Sequence, residues 1–333
     1  RHGPDELRAR FLPPLLDPDY DQAHIGSQFL TEVQGGSDVG ANLAQAEPDG
    51  ENEGRWKISG EKWFCSVANA DQFLVTARLP GSGQGTPGLG TFLIPRRKSD
   101  GSVNDFTIRR LKNKLGTRAM ASGEIDFDGA EAYAIGNPAD GFKIAVAEVL
   151  NTSRWINSLG STGVMRRAYL EAVSFARSRE AFGKAIAHFP LIRETLAAIK
   201  VEEMAALSST LFLTALIDRI ETSQASEHEK AVYRFLVNTN KYITAIAAAE
   251  ATRLAVEVLG GNGTIEDFSP LPRLLRDNVV FESWEGTHNV LVVQVLRDSR
   301  KLGLLSNIHD EIHTQIDALA DENLRAEAAP LIE

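Results

Sequence analysis

The segment SGEIDFDGA (residues 122–130) decides which class of fold the sequence favours, because its apolar and acidic residues alternate. In an extended chain Ile125 and Phe127 point to one face, while Glu124, Asp126 and Asp128 point to the other. Similar short segments, separated by Gly, Pro, Asn and Asp, run from about residue 26 to 135: WKISGEKWFCS, DQFLVTARL, GTFLIPRR and FTIRRLKNKLG. This pattern predicts a compact β-barrel or sandwich rather than a parallel sheet with crossover helices.

After Gly141 the spacing of the apolar residues becomes helical. Long helical stretches are predicted at about 141–178, 190–222, 226–259 and 287–303. Mostly short links between them favour an antiparallel four-helix bundle. One link, GGNGTIEDFSPLP (260–272), is rich in glycine and proline and is too long for a plain helix hairpin. The sequence therefore predicts an α+β fold, a β-barrel domain followed by a four-helix bundle.

Both ends of the sequence differ from this core. RHGPDELRARFLPPLLDPDY (1–20) reads as a short helical piece stopped by Pro13 and Pro14. After about residue 306 the chain is acidic and weakly periodic, which fits either a further helix or a solvated tail.

Composition excludes several classes of protein. The net charge of −10 argues against a general nucleic-acid binder, because neutralising phosphates needs an excess of Lys and Arg. The basic run RRLKNKLGTR (109–118) is expected to be a solvated strand edge. The single cysteine, Cys65, excludes an intramolecular disulfide framework and fits a reducing compartment, where it is expected to be a buried small hydrophobe. No apolar run approaches the roughly 18 residues that span a bilayer, so no membrane association is predicted.

Common catalytic motifs are missing from the sequence. It contains neither the glycine fingerprint of a dinucleotide-binding fold nor a P-loop, and GGSDVG around Ser37 lacks the pattern of a serine nucleophile elbow. HDEIH (309–313) places His309 and His313 on one helix face. Because no third ligand is evident, a solvated helix face is favoured and no metal site is predicted.

Four clusters remain that carry specific information. They are FLTEVQGGSDVG (29–40), EKWFCS (61–66), RSREAFGKAI (177–186), and VEVLGGNG together with SWEGTHN. Taken singly, each is explained by a turn, a core aromatic pair, a helix end or a glycine cap. Together, in this order and at this spacing, they resemble the acyl-CoA dehydrogenase family. TEVQGGSDV and RLKNKLGTR look most like its alkylation-response (AidB-like) branch.

The resemblance runs from about residue 1 to 305 and implies a division into domains. Members have an α-helical N-terminal domain, a middle β-barrel and a C-terminal four-helix bundle. Here the first of these is expected to be mostly missing. The implied divisions are 1–25 for the end of the N-terminal helical domain, 26–137 for the β-barrel, 138–305 for the bundle and 306–333 for the start of a truncated C-terminal extension.

FAD is the cofactor that the resemblance implies. Phe64 stands in place of the usual tryptophan against the flavin ring, and Ser66 in place of the usual threonine near N5. Pro190 and Glu257 each stand where many members have glutamine. Weaker FAD binding is expected from both changes. The positions that match FAD contacts are Leu30, Thr31, Ser37, Phe64, Cys65, Ser66, Arg179, Phe182, Glu257, Val258, Gly260, Gly261, Thr287 and Asn289.

Two of these positions imply an oligomer. Arg179 and Phe182 match residues that reach FAD held mainly by a neighbouring subunit, and the arginine fork suits phosphate. A homotetramer built as a pair of dimers is expected.

Glu285, in SWEGTHN, has two interpretations. A carboxylate in the first turn of a helix can simply answer the helix dipole. The resemblance instead implies the catalytic base, which removes the α-proton of an acyl-CoA thioester while the β-hydrogen leaves as hydride to flavin N5. Trp284 and an apolar pocket would keep such a carboxylate strongly basic. Ser153 occupies the family's alternative base position, so Glu285 has no visible competitor there.

The substrate and partners follow from the same resemblance. Ser37, Asn151, Arg154 and Gly286 match positions near the acyl-CoA substrate. The electron acceptor is expected to be an electron-transfer flavoprotein or another carrier, in the cytoplasm, or in the mitochondrial matrix if the source is eukaryotic. Two alternatives stay open: a flavin-bearing, DNA-associated stress-response protein with little dehydrogenase turnover, and a structural oligomer with a relict site. DNA binding is not favoured, given the acidic balance.

Overall fold

The structure, a computed structural model, describes residues 2–52 and 54–331. It divides into two compact units, Arg1–Leu150 and Asn151–Glu333. None of the helices in the described ranges combines the length and the apolar character that crossing a membrane requires.

The first unit is built around one seven-stranded sheet with a helix, α1 (Asp5–Leu15). The predicted strand segments are confirmed. Strand β4 pairs with β1, β2 and β5. Starting at β4, successive pairings lead to β2, β3, β7 and β5, and β5 pairs with β4 again. The strands are β1 (Gly26–Phe29), β2 (Gln45–Pro48), β3 (Arg55–Ser66), β4 (Gln72–Arg78), β5 (Leu89–Pro95), β6 (Phe106–Leu111) and β7 (Ser122–Ala134).

The alternation in β7 sets the core of this unit. Ile125 and Phe127 are buried as predicted and pack in one cluster with Phe73. Glu124 lies on the opposite face, and its side chain is buried as well. Arg110 and Lys112 cover it, with nitrogen–oxygen distances of 2.9 and 2.8 Å. Ion pairing thus compensates for the burial of this carboxylate.

Only the start of the basic run forms a strand edge, because β6 ends at Leu111 and residues 112–118 lie in the loop that follows. Strand β6 pairs with β7 alone among the described strands, and most of its side chains are exposed. Arg109 lies on the outer side and pairs with Asp126 and Glu61. The charges of this run are therefore answered largely by carboxylates of the same sheet.

The second unit is helical. Helices α3, α4 and α5 pack on one another around Met165, Ile199 and Ala248, and α6 and α7 pack on α5. Ser226 caps α5 in a capping box with Glu229. The helices after the sheet are α2 (Gly141–Ile144), α3 (Asn151–Ser178), α4 (Pro190–Glu221), α5 (Glu227–Leu259), α6 (Leu271–Ser283), α7 (His288–Leu302), α8 (Leu304–Asp317) and α9 (Glu322–Ala328), with α2 belonging to the first unit.

Four details differ from the sequence-based expectation. The stretch predicted as one helix from 141 to 178 contains a π-helical segment, Ala145–Leu150, before α3. Helix α6 was not predicted. The segment 177–186 ends not in helix but in a hairpin of β8 (Glu180–Ala181) and β9 (Lys184–Ala185). Helix α1 includes Pro13 and Pro14 and ends one residue later, at Leu15, so the prolines lie in its last turn rather than beyond its end.

Candidate functional site

The loop after β1 is fixed against the end of β3 by buried donors. The Leu30 carbonyl accepts from Asn42 Nδ2 at 2.7 Å and from Lys62 Nζ at 3.3 Å. The Thr31 carbonyl accepts the Trp63 N–H at 2.9 Å. Two of the predicted clusters, 29–40 and 61–66, are thereby brought side by side. Ser37, further along the loop, is exposed.

A buried ion pair anchors the same loop, and sequence reasoning missed it. Lys62 Nζ lies 2.8 Å from Glu32 Oε1, and both side chains are almost fully buried. The Glu32 carboxylate also accepts the N–H groups of Leu43 and Ala44. Burial lowers the pKa of Lys62, and Glu32 opposes that shift. The sequence feature that could have revealed this ion pair is a lysine at a buried position of β3, on the same face as Ile58.

The end of β3 presents its side chains alternately. Phe64 is 53% exposed, whereas Cys65 lies in the core, as expected, where burial raises the pKa of its thiol to about 12. A cofactor contact from Cys65 would therefore have to come from its main chain. Ser66 Oγ lies 3.2 Å from Ser122 Oγ, which accepts from Lys114 Nζ at 2.9 Å.

Lys112 also belongs to this surface and was not predicted. Its Nζ lies 3.4 Å from the centroid of the Trp63 ring and 4.7 Å from that of Phe64. Its salt bridge to Glu124 fixes the ammonium group, and Lys112 and Arg110 hold the pKa of that carboxyl below its usual range. The exposed face of β3 therefore combines aromatic rings, hydroxyls and positive charge.

In the second unit, Arg179 and Phe182 lie at the hairpin that follows α3. Arg179 is exposed, and Phe182 is 96% exposed with φ 51°. Beside Phe182 is an apolar hollow of about 450 Å³, lined also by Ile186, Phe189 and Leu191. An exposed phenylalanine in a left-handed conformation is costly, so this tip is shaped for contact rather than for stability of the isolated chain.

The end of α5 exposes main chain. Gly260 has φ 61°, and a Cβ at Gly260 or Gly261 would meet no atom within 4 Å. Glu257 is exposed beside Arg253, at a nitrogen–oxygen distance of 3.6 Å. Val258 packs its side chain in the bundle core, so a cofactor would have to meet its main chain. The two glycines leave room for close approach of a ligand.

Glu285 lies in a turn, not in a helix. Helix α6 ends at Ser283 and α7 begins at His288, with Thr287 as its N-cap residue and Asn289 exposed in its first turn. The dipole interpretation placed Glu285 in the first turn of a helix, which is wrong, because Glu285 lies three residues before the first residue of α7.

This turn has an unusual backbone. Glu285 has φ 56° and Gly286 has φ 103°. Five described residues other than glycine have positive φ; three of them, Val67, Phe182 and Glu285, lie in or next to the four clusters, and Thr117 lies in the basic run. Such conformations persist only where surrounding contacts enforce them, and they gather at functional sites.

Buried cations supply the contacts around Glu285. Arg154 Nε donates to the Glu285 carbonyl at 3.0 Å, and its Nη1 donates to Asn238 Oδ1 at 2.7 Å. Lys241 Nζ donates to the carbonyls of Glu282 and Gly286 at 3.1 and 3.0 Å. Burial lowers the pKa of Arg154 to about 10 and that of Lys241 to about 8, and the Glu285 charge opposes both shifts.

The surroundings of Glu285 therefore differ from the apolar pocket that was expected. Trp284 stacks on Phe281 at a centroid distance of 5.1 Å, and its Nε1 donates to Asn157 Oδ1 at 2.9 Å. The ring packs within the bundle, while two buried cations lie close to the turn. The sequence signal for Lys241 was a lysine on the buried, small-residue face of α5.

Asn151 begins α3 one turn before Arg154. It is 3% exposed, and its Oδ1 has no hydrogen-bond partner within the described part of the chain. A buried acceptor or donor left unpaired is costly, so this amide is available to a ligand.

Metal ligands do not gather in the described structure. His309 and His313 lie on one face of α8, with their Nε2 atoms 3.1 Å apart, but no group of three potential ligands is found among the residues described.

Two family models match the chain. Residues 27–130 match "Acyl-CoA dehydrogenase, middle domain", and residues 139–299 match "Acyl-CoA dehydrogenase, C-terminal domain". The chain belongs to the acyl-CoA dehydrogenase family. The two matched regions are the sheet of the first unit and the helices of the second, and they contain the clusters on which the sequence resemblance rested.

Individual relatives agree with this assignment. The chain is 33% identical to acyl-CoA dehydrogenase family member 11 of Caenorhabditis elegans, covering 89% of this chain and 48% of that protein. It is 34% identical to AidB of Escherichia coli (strain K12), covering 91% of this chain and 55% of that protein. The chain thus spans about half the length of these curated relatives.

Two solved structures share the fold of this chain. The apo-form of Bd2924 superposes with a TM-score of 0.88 at 32% identity, covering 99% of this chain and 68% of that chain. Caenorhabditis elegans ACDH-11 in complex with C11-CoA superposes with a TM-score of 0.87 at 31% identity, covering 94% of this chain and 54% of that chain.

Proposed function

We propose that the protein is an FAD-dependent dehydrogenase of acyl-CoA thioesters, with Glu285 as the base that takes the α-proton. The observation that carries this proposal is the turn at Glu285, whose left-handed backbone is held by buried Arg154 and Lys241. A glutamate with no catalytic task would be more stable in an ordinary conformation, by about 1–3 kcal/mol.

The residues present fit FAD. Phe64 offers an exposed ring and Ser66 a hydroxyl at the end of β3, while Gly260 and Gly261 offer open main chain. The exposed Arg179 would hold phosphate. Bound FAD would supply the acceptor for the β-hydrogen of the substrate.

The remaining site residues differ in the part of the cofactor or substrate that they would contact. Leu30 and Thr31 would contact the flavin through the loop that is anchored on β3, and Thr287 and Asn289 through the start of α7. Ser37 would lie near the pyrophosphate and the thioester. The unpaired amide oxygen of Asn151 would meet the CoA moiety.

Glu285 performs the proton transfer in this proposal. Its carboxylate accepts the α-proton, and Gly286, which has no side chain, leaves room for the thioester. Arg154 and Lys241 place positive charge beside the turn that carries this carboxylate. The carboxylate must also be shielded from water to remain a strong base, since the α-proton of a thioester is weakly acidic.

Finer features of the family are proposed on the same basis. The returning ladders of the first unit support closure of its sheet into a barrel. Similarity to AidB and to ACDH-11 supports the AidB-like branch and, given the C11-CoA complex of ACDH-11, a fatty acyl thioester as substrate. The exposed hairpin at Phe182 supports assembly into a tetramer that shares FAD between subunits.

The test is an absorbance titration of the purified full-length protein. Anaerobic addition of acyl-CoA thioesters of increasing chain length should bleach the flavin band, and the fastest thioester identifies the acyl group. A protein that retains FAD but is bleached by none of the thioesters would contradict the proposal.

A further inference from the structure

The turn between α6 and α7 needs an explanation for its stability. The Glu282 carbonyl lies in the last turn of α6, and the carbonyls of Glu285 and Gly286 follow its end. Main-chain acceptors at the end of a helix lack partners within the helix. All three receive hydrogen bonds from side chains of other helices. Without such donors, two successive left-handed residues would not be held in place.

Lys241 is the residue that closes this turn. Its side chain is fully buried on α5. Its Nζ donates to the Glu282 carbonyl, just before residues 283–285, and to the Gly286 carbonyl, just after them. Arg154, from α3, takes the carbonyl between them. One ammonium group thus ties the two ends of the segment together, and removing it frees both ends at once.

Charges around Lys241 come from two sides. Arg154 faces it from α3, Glu282 from the last turn of α6 and Glu285 from the turn that follows. No carboxylate forms a salt bridge with Lys241 among the described residues, so its hydrogen bonds go to carbonyls rather than to an ion-pair partner. A lysine is expensive to bury in this way, and a purely structural donor could have been neutral.

We propose that Lys241 is a positioning residue for Glu285: by bonding to the carbonyls of Glu282 and Gly286, it holds the main chain that carries the carboxylate in one conformation. This inference rests on the proposed role of Glu285 as the base. The positioning is separate from FAD binding, because the contacts of Lys241 lie within the second unit and involve no residue matched to FAD contacts.

The experiment uses the full-length FAD-loaded protein and Lys241→Met, which keeps the length of the side chain and removes its donors. Asn240→Ala is the matched control, because Asn240 is the adjacent buried residue of α5 and bonds to Ser209 and Thr210 instead. Hydrogen exchange of a peptide covering residues 283–288 should be at least about 10-fold faster in Lys241→Met and unchanged in Asn240→Ala.

Flavin reduction provides the second measurement. Lys241→Met should reduce its flavin about 10–100-fold more slowly, with KM for the thioester changed less than about 3-fold, since displacing a base by about 1 Å costs on that order. In a Glu285→Gln background the same substitution should have little further effect, because there is no base left to position.

The outcomes separate the two proposals. If the wild type reduces no flavin with any thioester, the proposed function fails, and the exchange measurement still decides whether Lys241 holds the turn. A folded Lys241→Met protein with wild-type exchange at 283–288, or with an equal loss of rate in the Glu285→Gln background, overturns the positioning role. If Lys241→Met does not fold, Lys241→Gln takes its place, with changes of the same sign expected.

Discussion

The two units each bury a lysine behind a turn, but they neutralise it differently. Lys62 meets Glu32 at 2.8 Å, so the anchor of the loop after β1 is a matched pair. Lys241 meets main-chain carbonyls, with Arg154 as a second buried cation nearby. In the first arrangement the charge of Lys62 is neutralised by its salt-bridge partner. In the second, the carbonyls bonded to Lys241 carry no net charge, so its positive charge acts on the carboxylates nearby. Stability accounts for the first arrangement, and the proposed task of Glu285 accounts for the second.

The largest effect is expected from removing that carboxylate. Glu285→Gln keeps the shape of the side chain, so FAD and acyl-CoA should still bind, while flavin reduction should slow by about 10²–10⁴. Glu285→Asp should fall between, because the carboxylate retreats by roughly one bond length. The measurement is stopped-flow bleaching of the flavin with saturating thioester.

Glu250→Gln serves as the control for this prediction, since it removes an exposed carboxylate that pairs only with Arg253 within the described structure. A Glu285→Gln protein that reduces its flavin at the wild-type rate would return Glu285 to the role of a structural turn residue.

The second prediction breaks the matched pair. Lys62→Met strands a buried carboxylate and Glu32→Gln strands a buried ammonium, so each should lower the free energy of unfolding by about 3–5 kcal/mol. The double variant should lose less than the sum of the two. Lys241→Met should cost less than Lys62→Met, because it strands carbonyls rather than a charge.

Denaturant unfolding of the full-length protein measures these differences. Arg109→Met, which breaks an exposed ion pair of the same sheet, is the control and should shift the midpoint little. If Lys62→Met and the control were equally stable, the distinction drawn between matched and unmatched lysines would be lost.

These buried lysines also show where sequence reasoning stops. The strands follow from period-two alternation in segments such as SGEIDFDGA, and the long helices from their apolar stripes, so both could be predicted. The left-handed backbone of Glu285 could not, because Arg154, which holds it, is 131 residues away along the chain. A lone charged residue on a buried face, as at positions 62 and 241, is a signal that the sequence contained and that periodicity alone does not interpret.

Helix α6 and the π-helical segment before α3 illustrate the same limit. LPRLLRDNVVFES has helical spacing, but the glycines and prolines before it hid its start. The π-helical segment, Ala145–Leu150, adds a residue to a turn in a way that no propensity records. The role of Glu285 came only from resemblance, since the sequence around it fits a helix end equally well.

The last prediction concerns pH and sharpens the comparison through Lys241. Burial lowers its pKa to about 8 from the ordinary value of 10.5, so the folded protein loses this proton while the unfolded chain still holds it. The contribution of Lys241 to stability is therefore least favourable below pH 8, rises as pH increases through that window, and is complete above 10.5. Lys241→Met has no such proton to lose. The free energy of unfolding of the wild type minus that of Lys241→Met should accordingly increase between about pH 7 and about pH 10, by about 2–3 kcal/mol, since a tenfold change in proton affinity corresponds to about 1.4 kcal/mol. Urea unfolding at both pH values measures it, and the subtraction removes the groups that titrate in both proteins. A difference that stays flat, or that falls as pH rises, would mean that Lys241 keeps an ordinary proton affinity and that Glu285 or Glu282 balances its charge as fully as Glu32 balances that of Lys62.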